Sequence, residues 1–274
     1  MLERTLTTEF RACLRRATGR LTMANMRIIF WNIRAGGGRR ASWIVDQLCR
    51  WQPDIIAFSE FRGTDASQAL ALALAAHGWQ FQLSAADPQK PPANAVFLAA
   101  RTALVQVHLR TCKPESTRWL LARHQATGLV VGSLHAPNYV TGRKRPFFDA
   151  VMAFCKRWRT TPAIIGGDTN CGVPPLDGNP ATFHPWETAW IPELRNAGWL
   201  DVYREFEPEQ PAYTWYSPNA GNGYRLDQAF INRAARSTVM HARHAWGTHH
   251  DAPDRRDALS DHAALLVELD LNHL

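Results

Sequence analysis

Short apolar runs separated by polar turns dominate the chain. Residues 27–32 (RIIFWN) read as a short buried strand, which three glycines at 36–38 then break. Ser42 offers an N-cap to a helix carrying Ile44, Leu48 and Trp51 on one face, and Pro53 stops it. Residues 55–58 predict a second apolar strand, and an Ala/Leu-rich helix follows over 67–77. Further strands are predicted at 81–83, 95–99, 105–109 and 129–134. A helix over 146–159 has Pro146 in its first turn and Phe147, Val151, Phe154 and Trp158 along its apolar face. A strand at 163–165, a Pro/Gly-rich loop at 172–187 and a short helix at 189–197 come next. Strands recur near 213–216, 226–231, 239–244 and 263–269. Many strands with few helices predict a two-sheet α/β sandwich. No internal repeat, low-complexity stretch or domain boundary is visible after Met26.

The length of 274 residues suits one large α/β domain, and 46 % apolar with 20 % charged residues is a globular composition. Lys and Arg outnumber Asp and Glu by 31 to 24, giving a formal charge of +7. That excess favours encounter with polyanions without choosing among nucleic acid, an anionic membrane surface and a phosphorylated substrate, and an inert basic surface fits equally. The five cysteines are scattered with no C-x-x-C pair, which argues against a disulfide framework or a cysteine zinc site and makes a reducing cytoplasm the simplest home. No apolar run reaches the roughly 18 residues of a membrane span. Before Met26, Leu2, Leu6, Phe10, Leu14 and Leu21 lie at roughly helical spacing among five arginines. This predicts an extension over 1–25, as a basic helix, a presequence or an upstream start, ahead of a domain over 26–274. Glu3 and Glu9 argue against a presequence.

Polar residues fall at the ends of the predicted strands. Asn32 ends the first, Glu60 the second, and His135 the run in SLHAPN. Asp168 and Asn170 end IIGGDTN, Asp227 interrupts YRLDQAFIN, and Asp261 and His262 open the last strand. Singly, each has an ordinary structural reading: Asn32 as a turn cap, Glu60 as partner of Arg62, His135 as a bonded core histidine, Asp227 as partner of Arg225. Together they are harder to dismiss, because a carboxylate buried at a strand end costs several kcal/mol unless it is paired or binds a metal.

In their order, FWNIR, DIIAFSEFRG, SLHAPN, IIGGDTN, YTWYS, YRLDQAFIN and LSDHAAL resemble the endonuclease/exonuclease/phosphatase superfamily. That group includes exonuclease III-type abasic-site endonucleases, deoxyribonuclease I, neutral sphingomyelinases and inositol-polyphosphate 5-phosphatases. The resemblance implies a deoxyribonuclease I-like four-layer α/β sandwich, two mixed sheets face to face with helices outside. It implies Glu60 as principal ligand of Mg²⁺ or Mn²⁺, supported by Asn32 and Asp261, a hard-oxygen set suited to those ions. Asp168 would orient and deprotonate water, Asn170 would hold phosphate or nucleophile, and His262, oriented by Asp227, would donate to phosphate oxygens. His135 matches the histidine that deoxyribonuclease I and sphingomyelinases place at the leaving oxygen, and an ordinary histidine can supply a proton at neutral pH.

Residues 198–218 resemble the exonuclease III-type segment in which an aromatic near Trp215 approaches nucleic acid; burial of Trp215 and Tyr216 in the core is the competing reading. Gln228 stands where such nucleases often carry Tyr, which weakens any abasic-site specificity. Arg34, Arg39, Arg40, Arg62, Arg143, Lys144 and Arg145 follow the site residues, and with Asn138 they predict a phosphate-tracking rim. The resulting expectation is a monomeric, metal-dependent DNA nuclease. A phosphodiesterase or phosphatase acting on phospholipid or inositol phosphate is the second reading, and a silent nucleic-acid-binding module the third.

Overall fold

In the computed structural model of the chain, residues 25–108, 115–179, 182–248 and 255–274 are described. The expectations for the segment before Asn25 and for Leu109 lie outside the described residues. Strand side chains alternate between faces, yet residues 28–31 are all fully buried. Ile28 and Phe30 join one apolar cluster and Ile29 and Trp31 another, so both faces of this strand are covered.

Among the described residues the first half of the chain forms β1 (Asn25–Asn32), α1 (Ala41–Trp51), β2 (Ile55–Phe61), α2 (Asp65–Ala76), β3 (Phe81–Ser84), β4 (Ala95–Ala100), β5 (Leu104–Gln106), β6 (Trp119–His124) and β7 (Val130–His135). The second half forms α3 (Lys144–Arg157), β8 (Ala163–Asp168), α4 (Pro185–Asn196), β9 (Trp199–Asp201), β10 (Trp215–Tyr216), β11 (Gly223–Tyr224), β12 (Asp227–Asn232), β13 (Val239–Ala245) and β14 (Ala264–Asp270). One sheet has the order β13-β14-β1-β2-β4-β3, the other β5-β6-β7-β8-β12-β9, and β10-β11 is a separate ribbon. Both large sheets are mixed, because β1–β2 and β7–β8 pair in parallel within otherwise antiparallel neighbours. Phe30, Leu98, Val131, Ile164, Ala229 and Val267 fill the layer between the sheets. Ile44, Leu48, Leu70 and Leu74 of α1 and α2 cover the outside of the first sheet, and Phe147, Val151, Trp190 and Leu194 of α3 and α4 cover the second. The result is the four-layer sandwich.

Several boundaries differ from the sequence reading. Ser42 lies inside α1: the helix starts from a 3₁₀ turn over Gly38–Arg40, and Arg40 at the N-cap makes no side-chain cap bond. The predicted loop over 172–187 ends early because His184 and Glu187 form a capping box that begins α4. The strand expected near 213–216 is two residues long.

The two parallel pairs end at one edge of the sandwich, with Asn32 level with Ser59 and His135 level with Asp168. Hydroxyls tie the sheets together there. Ser59 Oγ donates to Leu134 O at 2.8 Å, Ser133 Oγ donates to Phe58 O at 3.1 Å, and Asp168 N donates to Ser59 Oγ at 3.2 Å. The approach is so close that a Cβ on Gly167 (φ 139°) would stand 2.1 Å from Leu134 O, so only glycine fits.

Candidate active site

β1 and β2 deliver Asn32 and Glu60 side by side. Asn32 is fully buried; its Nδ2 donates to Asp168 Oδ2 at 2.9 Å and reaches Glu60 Oε1 at 3.4 Å, while its amide oxygen accepts from Arg34 N at 3.0 Å. Glu60 sits in a bulge where the β2–β4 register slips, with φ 59°, a conformation that non-glycine residues rarely hold. The loop after Asn32 fixes it: Ala35 N donates to Glu60 Oε2 at 2.7 Å and Gly36 N to Glu60 O at 2.7 Å. That loop keeps positive φ from Arg34 through Gly38, which explains the three glycines in its second half.

Across the sheet junction stand Asp168, His135, His262 and Asp227, all buried. His262 Nδ1 bonds Asp227 Oδ2 at 2.8 Å, and its Nε2 lies 3.9 Å from Asp168 Oδ2. Burial disfavours the His262 imidazolium, but Asp227 and then Asp168 outweigh it and raise the pKa to about 10, so the ring is charged at neutral pH. Burial pushes Asp168 up while His262 pulls it down, and the carboxyl settles at about 6. His135 Nε2 is 3.7 Å from Asp168 Oδ2. Burial, Arg118 and His262 hold its pKa well below the ordinary histidine value. His135 is therefore neutral at pH 7: it can offer a hydrogen bond but does not carry the ready proton that the sequence reading gave it.

Asn170, at φ 50°, folds back so that its N donates to Asp168 Oδ1 at 2.9 Å and its Nδ2 to Ala136 O at 2.8 Å. Asp261 is exposed and lies 3.9 Å from Arg34 Nε, whose side chain is 63 % exposed at the rim. Trp215 is half-buried against the site, its ring 6.3 Å from that of His262, so it is neither core nor free. Arg62 is tied to Asn94 Oδ1 at 2.8 Å, Arg143 to Glu115 Oε1 at 2.9 Å, and Asn138 is exposed in the turn after β7.

Two members of the expected rim are structural. Lys144 is buried against Glu187 and donates to Asn170 O at 2.5 Å. Arg40 turns inward to Leu259 O and Arg34 O.

The sequence reading missed four supports. Ser59 and Ser260 (Oγ to Asn32 O, 2.6 Å) brace the strand ends, and Thr214 Oγ1 accepts from Asp227 N at 3.1 Å. Arg118 stands behind His135 O at 3.5 Å. Small hydroxyls and a lone Arg in STRW carry no pattern by which to find them.

Among the described residues no three His, Cys, Asp or Glu side chains converge as a metal cluster. The oxygen-bearing side chains at this edge are Glu60, held by Ala35 N, Asn32, whose Nδ2 reaches Glu60 Oε1 at 3.4 Å, and Asp261 beside Arg34. That set fits a hydrated hard cation such as Mg²⁺, which uses one or two carboxylates and keeps several waters, and it does not fit Zn²⁺.

A deoxyribonuclease I-like sandwich with a buried acid–amide–imidazole cluster at its sheet edge defines the class. The Endonuclease/Exonuclease/phosphatase family matches residues 29–262, and the chain belongs to that family. No curated protein matches it in sequence. Solved structures with the same fold include a 3′ phosphatase, NExo, from Neisseria bound to product DNA hairpin (22 % identity, TM-score 0.74, 89 % of this chain and 99 % of that one). They also include an AP endonuclease from Archaeoglobus fulgidus (17 %, 0.73, 89 % and 99 %) and the 3′-5′ exonuclease NExo from Neisseria meningitidis (21 %, 0.73, 89 % and 100 %).

Proposed function

We propose that the chain is a divalent-metal-dependent phosphodiesterase that cleaves nucleic acid, DNA first, by attack of water on phosphorus. One observation carries the reading: Asp168 Oδ2 is faced by Asn32 Nδ2, His135 Nε2 and His262 Nε2 at 2.9, 3.7 and 3.9 Å. A carboxylate with a pKa of about 6 is a base matched to neutral pH, so Asp168 takes the proton of the attacking water. Asn170, its Nδ2 occupied by Ala136 O, has its amide oxygen left to orient that water. Charged His262, held in one tautomer by Asp227, faces the negative charge that grows on the phosphate oxygens. His135 contributes a neutral N–H donor near the same phosphate. Glu60, with Asn32 and Asp261 beside it, would hold Mg²⁺ or Mn²⁺, which supplies Lewis-acid polarisation of the phosphate when bound. Arg34, Arg62, Asn138, Arg143 and Trp215 would form the substrate rim, with Trp215 beside His262 and Arg34 beside Asp261. The similar fold of DNA-processing enzymes and the excess of basic residues support nucleic acid as substrate.

The test is cleavage of a labelled duplex, with and without an abasic site, under Mg²⁺, Mn²⁺ or EDTA, beside RNA and sphingomyelin. Metal-dependent DNA cleavage is expected. Asp168→Asn should lower turnover by roughly 10²–10⁴-fold and His262→Ala by roughly 10²–10³-fold, each with an unchanged circular dichroism spectrum. Full activity in either variant removes this mechanism, and turnover of sphingomyelin alone moves the substrate to lipid.

A further inference from the structure

The turn after Asn138 leaves Tyr139 53 % and Val140 88 % exposed. The Tyr139 ring lies nearly parallel to that of His184 (5.9 Å, 14°), and both stand about the Trp186 ring at 6.1 and 6.0 Å. Trp186 meets Phe148 edge-on at 6.0 Å, and Phe148 stacks on buried Trp190 at 4.0 Å. The inner rings thus anchor the group to the core, which accounts for Trp186, Phe148 and Trp190. Tyr139 and His184 are both exposed; His184 caps α4, and core packing does not account for Tyr139. Arg145 lies 5.9 Å from the Trp186 ring and is itself exposed.

The position is next to the candidate active site. Ala136 N donates to the backbone carbonyl of Asp168 at 2.8 Å and Ala136 O accepts from Asn170 Nδ2, so this point of the chain is fixed to the backbone of Asp168 and the side chain of Asn170. Tyr139 follows three residues later, a reach of at most about 11 Å. Tyr139 therefore stands on the loop that leaves the site edge directly after β7. Rings with an open π-face beside exposed arginines are the means by which proteins hold unpaired bases, and a base inside a duplex has both faces covered by its neighbours.

We propose that Tyr139, His184 and Trp186 form a stacking subsite for an unpaired nucleobase flanking the phosphate at Asp168. The inference rests on the nuclease reading and adds to it a preference for single-stranded or frayed ends. The test is anisotropy of a labelled twelve-nucleotide oligothymidylate and of a blunt hairpin duplex, titrated in EDTA with wild type, Tyr139→Ala and Tyr139→Phe. Tyr139→Ala should weaken the single strand roughly tenfold or more, the scale of one lost base–aromatic stack, and the blunt duplex by less than twofold. Tyr139→Phe keeps the ring and should bind as wild type. With metal added, Tyr139→Ala should raise KM on the single strand while kcat holds. Equal loss on both probes, or no loss on the single strand while wild type still cleaves DNA, overturns the subsite alone. A wild-type chain that binds neither probe and cleaves neither overturns the nuclease reading and the subsite with it.

Discussion

Two histidines, His262 buried and His244 half-buried, share Asp227, and one is charged where the other is neutral. His262 takes the carboxylate at 2.8 Å and, with Asp168 also near, is held protonated. His244 Nε2 takes only the backbone carbonyl of Asp227 at 3.1 Å, and burial together with Arg225 lowers its pKa to about 4. The consequence for stability follows from proton binding. Unfolded, His244 titrates near the ordinary value of 6.5; folded, it binds its proton only near 4. Its contribution is therefore complete above pH 6.5 and is lost as pH falls through that interval. Asp168, raised to about 6, works in the opposite sense over part of the same range, so the comparison must isolate the histidine. The melting temperature of wild type is expected to fall more between pH 7 and 5 than that of His244→Gln, which retains a donor and cannot charge. Parallel profiles would show that His244 is not the titrating group.

At the scale of the element, α3 and α4 are joined to the GDTN turn by a buried ion pair. Lys144 and Glu187 are each nearly inaccessible, and the lysine also holds the carbonyl of Asn170. Glu187 meanwhile accepts from His184 N at 2.8 Å, and its backbone carbonyl from Cys171 Sγ at 3.0 Å. Removing one partner strands a charge in the interior. Lys144→Met is expected to cost about 3–5 kcal/mol in urea unfolding, and Lys144→Met/Glu187→Leu to recover much of it. A loss under 1 kcal/mol for the single variant would mean that the pair is solvated. The sequence hid this because Lys144 stands in a run of basic residues that reads as a wet loop, and its partner is remote along the chain. The start of α1 was hidden for a related reason: no side chain caps it, so Ser42 drew the reading two residues inward of Arg40. The inner strands were legible because both faces are covered, which turns alternation into continuous apolar runs such as residues 28–31. Asn32, Glu60, Asp168, Asp227 and His262 were legible as polar groups breaking those runs. Their braces, Ser59, Thr214 and Ser260, were not, since hydroxyls look alike in a turn, a strand or a cross-sheet bond.

For the whole molecule, the charge of +7 matters through its placement. Arg40 and Lys144 are spent internally, whereas Arg34, with its side chain 63 % exposed beside Asp261, is open to a phosphate. DNA affinity is expected to fall steeply with salt, and Arg34→Ala should reduce the slope of log K against log salt by about 0.9. An unchanged slope would take Arg34 off the substrate path. No helix among the described residues is long and apolar enough to cross a membrane.

Glu60 and Asp168 belong to different sheets, and the gap between them is spanned by the hydroxyl of Ser59 and the amide of Asn32. The groups proposed to act on phosphate are thus mounted on two plates whose spacing is set by the apolar filling between them. A methyl group lost from Val131 or Ile164, far from any phosphate, would let the plates settle and detune the chemistry at their rim. Activity in this molecule should then serve as a gauge of how well its interior is filled.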